Sequence, residues 1–229
     1  MPPTWLTALA WAALAVAFAG AGWILLDIYG RGYRQQMGVM EAVWPVTALY
    51  FGPAAVVAYR AWGRPRTHRW QREHGEPSDM PGYATTALGV SHCGAGCTLG
   101  DIVAEFAVFG LGLTIGGIAL PAEYVGDYVL ALVLGIGFQY FAIAPMRGLG
   151  PRKGLLAAAK ADVLSLTAFE VGLFGWMALM FFVFFPAPHH LHPNDPVYWF
   201  LMQIGMIAGF FTAWPVNTWL IRAGIKEAM

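Results

Sequence analysis

The chain has 229 residues, 58% of them hydrophobic and only 11% charged, and its 13 basic residues balance 13 acidic ones. A soluble domain carries about 25% charged residues, so this composition belongs to a protein that lives in lipid. A net charge of zero gives no reason to expect a nucleic-acid partner, and two cysteines four positions apart exclude a disulfide framework.

Apolar runs long enough to span, at about 20 residues each, fall near 5–27, 38–59, 84–118, 125–146, 156–185 and 197–221. They predict an all-α polytopic transmembrane bundle of about six helices. No basic segment precedes the first run, Trp5 to Leu26, so it reads as a retained helix and not a cleaved signal. The third and fifth runs exceed a straight span, which implies tilt, a kink or projection beyond the lipid.

Between the second and third runs lies a polar segment carrying Arg60, Arg64, Arg66, Arg69 and Arg72. By the positive-inside rule it is cytoplasmic. Arg147, Arg152 and Lys153 follow the fourth run, and Arg222 and Lys226 follow the sixth. With six spans these groups share one side, both termini are cytoplasmic, and Arg31 and Arg34 face the other side. The chain thus divides into an N-terminal transmembrane hairpin (1–60), a basic cytoplasmic linker (61–83) and a four-helix domain (84–229). The expected location is a bacterial inner membrane. The expected partners are the bilayer and either another membrane protein or further copies of the chain.

Chemistry concentrates in Ser91–Glu105, S-H-C-G-A-G-C-T-L-G-D-I-V-A-E. Cys93, Cys97, Asp101 and Glu105 recur at steps of four, so they stack along one helix face for roughly 18 Å. His92 adjoins them. Polar groups at this depth in hydrocarbon are costly and mark function. Asp162 and Glu170 in the fifth run fall at depths matching His92 and Asp101. Carboxylates without a cation in lipid hold a proton or bind a cation, and apart from His92 the sequence offers no evident deep cation. A polar network serving helix association is the structural alternative.

Two thiols on one face suit a soft ion such as copper(I). Zinc is the second choice, with Asp101 or Asp162 as an oxygen ligand. Cysteines in membrane helices also serve simply as small packing residues. After the fifth run, F-F-P-A-P-H-H-L-H-P-N-D-P clusters His189, His190 and His192. That cluster reads either as a lip that captures metal or senses pH, or as a polar interfacial turn. Met177 leads from Glu170 toward it.

From about Ala84 onward the chain resembles a bacterial and archaeal family of small polytopic membrane proteins known as a domain of unknown function. The resemblance rests on H-C-G-A-G-C-T-L-G-D, A-K-A-D-V-L-S-L-T-A-F-E, D-P-V-Y-W-F and W-P-V-N-T-W-L-I-R-A-G. It implies a helical membrane fold and points to His92, Cys93, Cys97, Asp101, Asp162, Glu170 and Asn217, without assigning a mechanism.

The resulting expectation is a membrane protein that handles copper or zinc. His92, Cys93, Cys97, Asp101, Asp162 and Glu170 are the candidate ligands. Glu105, Met177, His189, His190 and His192 are the entry or relay groups. A non-catalytic accessory subunit, or a thiol-redox or proton-relay protein, are the alternatives. No nucleophile–base–orienter set points to hydrolysis.

Overall fold

The computed structural model describes residues 2–148 and 150–226, without the side chains of 142–147. Among them there is helix and no strand. The long helices are α1 (Thr4–Leu25), α5 (Gly82–Leu111), α6 (Leu120–Arg147), α7 (Pro151–Leu179) and α8 (Pro196–Arg222). Wider π turns extend α1 to Gly30 and α7 to Phe184. Proline opens α7 and α8, where its missing N–H is harmless, and the Asp195 side chain accepts the Val197 N–H at 2.8 Å to cap α8. Thr4–Gly30, Gly82–Leu111, Leu120–Phe141, Pro151–Phe184 and Pro196–Arg222 are long and apolar enough to cross a membrane.

These are five segments, because the second apolar run behaves differently. It divides into α2 (Met40–Phe51) and α3 (Pro53–Ala58) at Gly52, whose φ of +54° suits glycine alone. The Ala48 side chain, the Gly52 carbonyl and the Val56 side chain all border the same point on α1, Gly20. Trp44, early in α2, meets both Tyr59 and Gly63 beyond α3. The run therefore enters the bundle, turns at Gly52 and returns to the end it came from. The run is thus a helical hairpin and not the one straight helix expected.

Protein covers the hairpin's tip. The Leu49 carbonyl accepts Gln203 Nε2 of α8 at 2.6 Å, Phe51 packs edge-on to Phe210, and Tyr50 lies against Gly94 of α5. Irregular backbone at membrane depth survives only with such cover. At the base, the buried Asp27 carboxylate accepts Tyr59 Oη at 3.0 Å and meets Arg31 at 3.2 Å and Arg64 at 3.3 Å. Arg34 grips Glu41 through two nitrogens at 2.7 and 2.8 Å. The short α4 (His68–His74) docks on the same end: Gln35 bridges to Thr67, and Arg69 donates to the Arg31 carbonyl. Asp27→Ala leaves these donors facing a void. Its expected penalty is about 3 kcal/mol, the lower end for a broken buried pair because both arginines reach solvent. A lowered melting temperature in detergent checks this, and an unchanged one contradicts it.

The half-crossing reorders the two ends. Arg31, Arg34 and the linker arginines gather where α5 and α7 begin and α6 and α8 finish. Trp62 meets Tyr83 there, and Lys226 meets Gly89. The start of α1 lies at the opposite end with the histidine loop, where Phe106 stacks on Trp199 and Phe109 faces His192. The Arg147 side chain is outside the described residues. Every other Lys and Arg lies at the first end or on the half of a helix next to it, so this is the basic end. The start of α1 and the finish of α8 thus lie at opposite ends of the bundle.

Small residues set the helix spacing that positions the site. Gly96 and Gly100 of α5 face Gly135 and Ala131 of α6 so closely that a Cβ at either would lie within 2.8 Å of α6 backbone atoms. Gly205 and Gly209 of α8 likewise receive Leu173, Trp176 and Phe169 of α7. Close approach of this kind lets membrane helices associate without a hydrophobic driving force.

Candidate functional site

The steps of four on α5 place Cys93, Cys97, Asp101 and Glu105 on its inward face, fully buried. Asp162 and Glu170 of α7 and Asp127 of α6 are buried beside them. Cys93 faces Asp162, while Cys97 borders Cys93 and Glu170. Asp101 borders Glu170 and Glu105, and Asp127 lies among all three. Gly135 makes room for this arrangement, since a Cβ there would lie 2.5 Å from Asp162 Oδ2.

Cys93 and Cys97 approach Asp162 and Glu170, and Tyr198 and Asp127 approach Glu105, as interacting side chains, though outside ordinary hydrogen-bond geometry. Every carboxylate oxygen of Asp101, Glu105, Asp127, Asp162 and Glu170 lacks a hydrogen-bond partner. A buried carboxylate without partners costs several kcal/mol if it stays ionised, so such a group carries a proton or meets a cation. The five come from three helices, α5, α6 and α7.

His92 is also fully buried, but about 100° around α5 from Cys93. It meets the edge of Phe138 with ring centroids 6.3 Å apart, and neither ring nitrogen is bonded to a protein group. Among the described residues no group of three or more His, Cys, Asp or Glu side chains is disposed to hold a metal ion. The expected ligands are thus brought into one row, with His92 to one side of it.

At the histidine end a cavity of about 450 Å³ is lined by Glu123, Met177, Met180, His190, His192 and Tyr198, among others. His190 Nδ1 lies 2.9 Å from the Phe185 carbonyl, which can only accept, so Nδ1 is the donor in this contact. Glu123 and Tyr198 border Glu105 as well. The cavity therefore opens onto the head of the carboxylate row. His189 is exposed and does not line it.

The row has a cation at its other end. Lys226 Nζ, buried, donates to Asn217 Oδ1 at 2.7 Å, to the Gly89 carbonyl at 2.9 Å and to Ser165 Oγ at 3.3 Å. Asn217 Nδ2 in turn donates to Ser165 Oγ at 2.7 Å. The expectation of no deep cation besides His92 is corrected here. Lys226 reads as one more basic residue after the last helix, but Gly224 (φ +67°) folds the chain back over the end of α8. Asp127 and the buried Gln139 were also missed. Their signal was present, as single polar residues inside the apolar fourth run.

The family model described as "Domain of unknown function (DUF4396)" matches residues 83–226. No curated protein and no solved structure matches the chain.

Proposed function

The chain belongs to the DUF4396 family, and we propose that it moves a cation across a membrane along the buried carboxylate–thiol row. One observation carries this reading: a cavity holding two methionines, two histidines and Glu123 opens onto five buried carboxylates whose oxygens have no partners. Thioether and imidazole donors favour soft or borderline ions. A transition-metal ion, copper(I) or zinc, is therefore the proposed cargo. It enters at His190, His192 and Met177, and it passes Glu105, Asp101 and Glu170 to the Cys93–Cys97 thiols and Asp162.

The proposed setting is a bacterial inner membrane with the basic end in the cytoplasm. The positive-inside rule supports that orientation. It puts the start of α1 and the histidine cavity outside.

A second reading has one observation in its favour. With no preformed three-donor group among the described residues, the row suits protons at least as well as metal. Vesicles loaded with a metal-responsive dye or a pH-responsive dye separate the two. Metal-driven signal, reduced at least tenfold by Glu170→Gln and by Cys93→Ser/Cys97→Ser together, supports metal movement. A proton signal lost in Glu170→Gln and kept in the cysteine double variant supports the relay. Wild-type vesicles indistinguishable from empty ones for both probes sink the function.

A further inference from the structure

A lysine ammonium is close in size and charge to a hydrated-shell-free potassium or ammonium ion, and the oxygens that hold one can hold the other. Lys226 Nζ sits among three oxygens from three separate helices: Gly89 of α5, Ser165 of α7 and Asn217 of α8. Its charge acts on Asp162 and His92, both fully buried. Asp162 has both oxygens unpartnered, with Oδ2 turned to Gly135 of α6. The lysine arrives on a short segment beyond α8, held by the Ile225 and Lys226 N–H groups on the Leu220 carbonyl.

We propose that Gly89 O, Ser165 Oγ and Asn217 Oδ1 form a site for a monovalent cation, and that Lys226 occupies it as a tethered substitute closing the basic end of the row. The Asp162 carboxylate, outside this contact shell, supplies the balancing charge. The inference rests on the cation-path reading only for the consequence of closure. The site itself stands on the contacts. Asn217 is fixed for the task, because its Nδ2 is committed to Ser165 and to the Ala213 carbonyl at 2.9 Å, leaving Oδ1 turned to the cation.

The test uses the full chain in detergent, melted in potassium or rubidium chloride against an equal concentration of N-methylglucamine chloride. Lys226→Met and Lys226→Gln empty the site by different means. Both are expected to gain potassium-dependent protection of roughly 2–4 °C, as ligand binding gives a protein of this size. Adding Asp162→Asn is expected to abolish that gain, while wild type shows none. Both variants as indifferent to potassium as wild type would overturn the site. So would failure of both to fold in any of these salts, which would make Lys226 a strut.

Vesicle flux separates this inference from the transport reading. Potassium-dependent melting with no flux through any form keeps the site and removes the path. Equal flux through wild type and Lys226→Met keeps the path and removes the closure.

Discussion

Alkaline phosphatase fused ahead of α1 is expected to be active, and a fluorescent protein fused there to stay dark, while fusions beyond Lys226 behave in the opposite way. The first enzyme matures only outside the cytoplasm and the second fluoresces only within it, so the contrast is all-or-none. The expectation follows from Gly52. Because Ala48 and Val56 meet the same point on α1, and Asp27 holds Tyr59 and Arg64 together, residues 31 and 64 are on one side. An odd number of crossings then separates the start of α1 from the finish of α8. Charge agrees with geometry, since every described basic residue falls on the half of the bundle that the positive-inside rule assigns to the cytoplasm. Six crossings would instead leave Arg31 and Arg34 outside and give the two fusions the same behaviour. Matching signals at both ends would reject the re-entrant hairpin.

Gly100→Leu is expected to abolish folded protein. A Cβ at this position would lie 2.6 Å from the Ala131 nitrogen and 2.9 Å from the Leu130 carbonyl carbon. Those atoms belong to the α6 backbone and cannot rotate aside. Overpacking a core with flexible neighbours costs about 1–3 kcal/mol, and a rigid one exceeds that range. Separating α5 from α6 would also pull Asp127 away from Asp101 and Glu105, so the site is lost with the interface. Gly110 lies on the same helix with nothing within 4 Å of its Cβ position, and Gly110→Leu should behave as wild type. The measurement is the yield of monodisperse protein on size-exclusion chromatography. Equal yields from the two variants would show that the helices are not in this contact.

Much of the site was legible because it is local. Steps of four on one helix bring Cys93, Cys97, Asp101 and Glu105 to one face whatever the fold around them. Counting along two parallel helices then sets Asp162 at the depth of His92 and Glu170 at that of Asp101. The structure brings Asp162 to the neighbouring Cys93, and Glu170 to Asp101 and Cys97. What the sequence could not reveal depends on single glycines. Residues 38–59 are apolar enough to span, and hydropathy does not register that Gly52 adopts a positive φ and turns the chain back. Gly224 does the same for Lys226, converting a basic residue beyond the last helix into the cation at the end of the row. His92 shows the reverse error, since adjacency in sequence to Cys93 means about 100° of separation on a helix.

The cover over the hairpin tip has a consequence for how the protein is made. The carbonyl of Leu49 is satisfied by Gln203, 154 residues later, and Phe51 rests on Phe210. Both partners are on α8. α2 and α3 therefore leave the ribosome well before the α8 part of the surface that covers their tip, and their final seating requires that last helix. α8 brings Asn217, and shortly after it Lys226, in the same event. Both the hairpin tip and the basic end of the row thus depend on α8 and the segment after it, so a chain stopped before α8 would lack a finished version of either half.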